Sequence, residues 1–190
     1  ILDINVALWN KLYKKDFLLN TGEKFPEGYI FEDLPFFFGT YPEAKRINVL
    51  PEILYNYRIN RKNSTMARTD KKITDRVPMV SLTYEKIKKI PYLSDISDKV
   101  KAWIINDLFH RYILMKSNYH KEYFFMMKKM FESLDISNIE DEFWKRVYHF
   151  DGYLCVINND FDKFNNIIFN KYCDIHASED RIKSAVFNRY

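Results

Sequence analysis

Glycine and proline are scarce in this 190-residue chain, at 4 and 6 residues, while aromatic side chains are abundant. That balance excludes a disordered or low-complexity chain, because so much aromatic surface must find a core or a partner. Cysteine is scarcer still. Cys155 and Cys173 are the only two, they lie far apart and in no metal-ligand spacing, and they read as free buried thiols of a reducing cytoplasm. The longest apolar runs are of the type Pro35-Phe36-Phe37-Phe38 and Ala102-Trp103-Ile104-Ile105, far short of the roughly 20 residues that cross a bilayer. No basic start leads into an apolar segment, so no secretory signal is read. Nor does one sign of charge dominate: 30 Lys and Arg against 26 Asp and Glu leave +4, which argues against wholesale nucleic-acid binding. The opening Ile1-Leu2-Asp3 has no initiating Met and is expected to be the interior of a longer polypeptide.

What is present is apolar: 47% of residues are hydrophobic and 17% aromatic, with 14 Tyr and 16 Phe. The spacing of Leu12, Tyr13, Phe17 and Leu18 predicts a helix over Asn10 to Leu19, and Leu34 to Tyr41 reads as a short aromatic helix stopped by Pro42. Two segments then alternate with period two. Ile47 and Val49 oppose Arg46 and Asn48 in Ala44 to Leu50; Ile53, Tyr55, Tyr57 and Ile59 oppose Leu54, Asn56 and Arg58 beyond the Pro51-Glu52 turn. Both predict half-buried strands. Arg58 to Lys72 is a basic loop. From there the pattern is helical: Ile73 to Ile90, Asp98 to Lys116, Glu122 to Leu134, Ile139 to Phe150, Phe161 to Tyr172 and Glu179 to Phe187. The expected fold class is therefore α+β and predominantly helical, with residues 1–69 forming one region and 70–190 a helical extension.

Residues 9 to 64 carry the chemistry. Trp9-Asn10-Lys11-Leu12-Tyr13 precedes Phe25-Pro26-Glu27-Gly28, then Glu32-Asp33-Leu34-Pro35-Phe36, and then Tyr55-Asn56-Tyr57-Arg58-Ile59-Asn60-Arg61-Lys62-Asn63-Ser64. This order resembles the second half of bacterial family-2 inverting glycosyltransferases of the GT-A fold, which build capsule and related surface polysaccharides. The resemblance covers about the first third of the chain and implies a partial GT-A segment lacking its nucleotide-binding half. It implies Asp33 as general base on the acceptor hydroxyl, with Glu32 beside it; a carboxylate in hydrogen-bond reach suits that proton transfer. It implies Trp9 and Lys11 on the acceptor side. Arg58, Arg61 and Ser64 would face the leaving diphosphate, whose oxygens a guanidinium pairs in bidentate fashion. The partners it implies are a nucleotide-sugar donor, a glycan acceptor and the absent N-terminal half, with Mg or Mn in the parent enzyme and no metal or cofactor held by this segment. The location it implies is cytoplasmic, with the inner membrane face and self-association as further options.

Simpler readings stand beside these. Glu32 and Asp33 before an apolar helix could serve only as N-terminal cap and dipole partners. Trp9 could be a core anchor, and Arg58 and Arg61 solvated charges. Asp107 and His110 are three apart on a helix but lack a third ligand, as do His176 and Glu179. Asp160-Phe161-Asp162 has the letters of a metal-binding Asp-x-Asp but sits at a helix start. Tyr123 to Phe131 could lie on a bilayer, although such a stripe more often faces a core. A noncatalytic helical interaction module and a basic nucleic-acid binder are the alternative functions, the second disfavoured by the interleaved acids.

Overall fold

Helix α1 (Lys15–Thr21) stops where Gly22 enters the left-handed region at φ 67 and returns its N–H to the Leu19 carbonyl at 3.3 Å, a conformation in which glycine carries no Cβ penalty. The helix starts later than the spacing predicts. Lys11 instead closes a turn with its N–H on the Leu8 carbonyl at 3.2 Å, and Leu12 stands in solvent. The computed structural model describes residues 5–58, 64–65, 68–134, 136, 141–147 and 149–176. Two compact units divide the chain, Ile1–Ser97 and Asp98–Tyr190.

In the first unit, α2 (Asp33–Thr40) buries Leu34, Pro35, Phe36, Phe37 and Phe38 in succession. A helix apolar on all sides must be enclosed. The enclosing partners are α1 and α3 (Arg76–Ile87), which both pack against it, together with Phe25, whose ring stacks on Phe36 at 4.0 Å. A 3₁₀ turn over Lys71–Asp75 feeds α3, with the Asp70 side chain accepting from the Lys72 N–H at 3.0 Å. Two long-range ties close the unit: Lys86 pairs with Glu23, and the Tyr92 hydroxyl donates to the Pro42 carbonyl at 3.0 Å.

The second unit is all helix: α4 (Ser97–Leu114), α5 (His120–Glu132), the short α6 (Asp141–Trp144), α7 (Phe150–Ile157) and α8 (Phe161–His176). The fully buried Phe164 lies at its centre, 5.4 Å from Phe109, 4.9 Å from Tyr112 and 5.3 Å from Phe124 between ring centroids. Of the helix expected over 139–150, the described residues show only the four-residue α6, while α7 begins at Phe150 and runs on to Ile157, where no helix was expected. Helix α7 ends on Asn159 at φ 62, with the Asp160 N–H on the Cys155 carbonyl at 2.8 Å and the Asn159 N–H on Val156 at 3.2 Å. This is the paired-bond C-cap usually built on glycine and here on asparagine. Asp160 then caps α8, its Oδ1 accepting from the Lys163 N–H at 3.1 Å, so the Asp160-Phe161-Asp162 letters mark a helix start. Helix α5 turns Tyr123, Phe124, Met127, Met130 and Phe131 into this core. No helix among the described residues is long and apolar enough to cross a membrane.

The α+β expectation is overturned: no strand occurs among the described residues, so the GT-A segment with its short strands is not seen. Residues 45–58 are extended or irregular but pair with no second segment. Alternation reports which side chains share a face; a strand also needs a neighbour to receive its N–H and C=O groups. The two segments flanking Pro51 do not fold onto each other, and Val49 and Ile53 are left 86% and 90% exposed. The Glu179 to Phe187 helix lies outside the described residues, as does Ile59.

Two expectations follow. Phe37, fully enclosed between its neighbours, should cost about 3–5 kcal/mol when cut to alanine, read as a lowered denaturant midpoint. In the second unit, burial holds the His120 imidazole below its ordinary pKa, with main-chain groups of Met115 and Tyr112 opposing. Stability drawn from neutral His120 is thus present above the unfolded value of about 6.5 and lost as pH falls toward the lower folded one. His120→Gln should flatten that part of the Tm-versus-pH curve between about pH 7 and 5.

Candidate functional site

The chain reaches Asp33 through a constrained loop. Gly28 sits at φ 82 and Phe31 at φ 67, the latter a conformation that costs an aromatic residue on the order of 1–3 kcal/mol. The segment persists because the following 3₁₀ turn clamps it. Asp75 accepts from the Ile30 N–H at 3.0 Å, and Lys72 bridges the Gly28 carbonyl at 2.6 Å and Asp75 at 3.0 Å. Phe31 then receives the Leu34 N–H on its carbonyl at 3.2 Å, and α2 begins.

Glu32 occupies the N-cap position in helical geometry, and its side chain makes no capping bond. The capping explanation for this pair therefore fails for Glu32. Asp33 opens the helix, partly buried at its first turn. Burial raises its carboxyl above the ordinary range; the Arg76 guanidinium opposes that rise, Glu32 adds to it, and the Leu34 and Asp33 N–H groups oppose it. A carboxyl held up in this way is a stronger proton acceptor than a free one while ionised at neutral pH.

Lys11 lies in the same neighbourhood, its Nζ 5.3 Å over the Phe37 ring. Burial lowers its pKa and the Asp33 charge works against that fall. Its ammonium donates to the Asn5 and Ala7 carbonyls, the latter at 2.7 Å, and to Asn10 Oδ1 at 2.8 Å. Three donors meet three local acceptors, so Lys11 fastens the segment before α1 rather than offering a hydrogen bond to a substrate.

Trp9 is 40% exposed. Its indole stacks on Tyr55 at 4.6 Å and on Tyr57 at 5.1 Å, with interplanar angles of 23° and 19°. The period-two reading had these two tyrosines on one face, and they do meet the same ring. Tyr55, Tyr57, Arg58 and Ser64 line a cavity of about 190 Å³. The structure therefore makes two groups of the expected residues: Glu32, Asp33 and Lys11 at the start of α2, and Trp9, Arg58 and Ser64 around the tyrosine pair. Arg61 lies outside the described residues.

Among the described residues no group of three or more His, Cys, Asp or Glu side chains is placed to hold a metal ion; Asp107 and His110 form none. Sequence reading missed Arg76, whose guanidinium lies 5.0 Å from the centroid of the Phe31 ring and whose charge opposes the rise in the Asp33 pKa. As a basic residue at the head of an amphipathic helix it looks like any solvated charge. Comparison with protein-family models, with characterised proteins and with solved structures finds no match to this chain in any of the three.

The Asp33 environment yields a stability test. Because its folded pKa is raised, the protonated form is favoured by folding, and that contribution is lost as pH rises through the folded value. At pH 7 ionised Asp33 therefore destabilises the fold. Asp33→Asn should raise Tm at pH 7, and the gap should close as pH falls below the ordinary carboxylate range; an unchanged Tm would show no net cost, and a lowered one would show the carboxylate to be a net stabiliser.

Proposed function

We propose that this chain carries the acceptor side of an inverting glycosyltransferase that moves a sugar from a nucleotide-sugar donor to a glycan acceptor, with the nucleotide-binding half supplied elsewhere in the parent polypeptide. The observation that carries the reading is Asp33: a partly buried, ionisable carboxylate kept at a helix start at a cost in stability, in a loop held in a strained conformation. Such a combination is characteristic of sites kept for chemistry rather than for folding. The order of motifs between Trp9 and Ser64 supplies the reaction class.

In this reading Asp33 takes the proton of the acceptor hydroxyl as its oxygen attacks the anomeric carbon, and the bond to the nucleoside diphosphate breaks on the opposite face. Glu32 keeps the pocket anionic and holds up the Asp33 pKa. The Trp9 face, backed by Tyr55 and Tyr57, offers a flat apolar surface to a sugar ring. Arg58, with Arg61 and Ser64, faces the departing diphosphate, where charge develops as the bond breaks. Lys11 orders the segment that carries Trp9. Mg or Mn would be expected on the diphosphate in the parent, and nothing in these residues is assigned to hold it.

One observation favours a second reading. Residues 45–58 expose Val49, Leu50, Ile53 and Leu54 beside unpaired main-chain groups, as a noncatalytic interaction module that adds a strand to a partner would.

The deciding experiment is sugar transfer by the full-length parent protein, screened over UDP-sugars with Mg or Mn, beside Asp33→Asn. The expected result is turnover by the wild type and a loss of about 10²–10⁴-fold in the variant with donor binding retained. A fully active variant would overturn the base assignment, and an inactive parent would leave the interaction module as the better reading.

A further inference from the structure

Arg76 is the one buried Arg or Lys side chain among the described residues, 7% exposed. Its guanidinium lies 5.0 Å from the centroid of the Phe31 ring. A desolvated cation over an aromatic face is attracted by the ring quadrupole, and that contact helps hold an aromatic residue at the positive φ it would otherwise avoid. Phe31 is two residues before Asp33, and its carbonyl receives the N–H of Leu34, the residue after Asp33. The ring that Arg76 holds is thus part of the turn that aims Asp33. The neighbouring Asp75 and Lys72 fix the same loop from the other side through Ile30 and Gly28.

We propose that Arg76 is a positioning residue for Asp33: its buried guanidinium, set over the Phe31 ring, locks the turn from which Asp33 projects. The functional part of this inference rests on the reading of Asp33 as general base. The charged groups that act on Asp33 are Arg76 from α3, Glu32 from the preceding turn, and Lys11 from the segment before α1. Lys11 has its three protons engaged locally, and Glu32 is of like charge, so Arg76 is the cation that most opposes the rise burial gives the Asp33 carboxyl. Arginine suits the position because its planar fork can stack on a ring and face a carboxylate at once, which a lysine point charge does less well. The base would in this way be governed by a residue more than 40 positions away, at the first turn of α3.

The test has two arms. On the 190-residue chain labelled at its aspartate carboxyls, with Asp33→Asn assigning the resonance, the Asp33 titration midpoint is measured in wild type, Arg76→Gln and Arg76→Lys. The Gln variant should move the midpoint up by about one pH unit, and the Lys variant should fall between. A Gln variant that is folded by circular dichroism and titrates at the wild-type midpoint would overturn the proposal. If the Gln variant does not fold, the Lys variant decides: an intermediate midpoint supports the assignment, and a wild-type one overturns it. In the full-length parent, the acid limb of kcat/KM should move by the same amount in the Gln variant, about tenfold in rate on that limb, with donor KM unchanged. An Asp33 midpoint that answers to Arg76 in a parent without transferase activity would leave the positioning intact and remove the reading of Asp33 as a base, so the two failures are distinct.

Discussion

Enclosure of α2 is the constraint from which the first unit follows. Five consecutive residues, Leu34 to Phe38, are buried, so this helix has no solvent face to spare over its first turns. It must be covered by α1, by the Phe25 loop and by α3 together, and each cover is fastened from a distance: Lys86 to Glu23, Tyr92 to Pro42, Asp75 and Lys72 to the 28–30 loop. Close approach is visible at Gly39, where a Cβ would run into the Glu23 carboxyl that reaches for Lys86. With the helix body immobile, the position and solvation of its first residue, Asp33, are set by packing rather than by its own side-chain preferences.

That same enclosure explains why the carboxylate is perturbed. Helix N-termini favour acidic residues, since the macrodipole and open N–H groups stabilise negative charge. At Asp33 this help is present, through Leu34 and its own N–H, and is outweighed by burial. An acid placed where the fold would do better without its charge is a different object from an ordinary first-turn aspartate, although the two are spelled alike. The strained Phe31 turn points the same way: the local geometry is held by neighbours against its own preference.

The second unit shows the contrary case, in which local rules suffice. Helices α4, α5 and α8 start within two residues of where the apolar spacing sets them, because a long amphipathic stripe identifies both element and buried face without help from elsewhere. Tyr112, Tyr123, Phe124 and Phe164 fill the core as their spacing requires. Where elements are short, the reading weakens. The segment 139–150 reads as one helix, yet its described helical residues are Asp141–Trp144 and Phe150, which opens a helix the spacing did not place, and the αL cap at Asn159 carries no glycine to announce it.

The sequence alone determined the long helices among the described residues and their inward faces, that none of them is long and apolar enough to cross a bilayer, and the placing of Tyr55 and Tyr57 on one side of an extended segment. It also singled out Glu32-Asp33 as the carboxylates worth examining. Only the tertiary structure decided that residues 45–58 form no sheet, since a ladder is a property of two segments and alternation describes one. Tertiary structure also decided that Lys11 is tied to main-chain acceptors, that Trp9 rests on the tyrosine pair, and that Arg76 lies over the Phe31 ring beside the Asp33 turn. The physical reason is common to all four: hydrogen bonding, desolvation and charge pairing depend on which distant residues arrive at a place, while periodicity reports only how near neighbours are arranged along the chain.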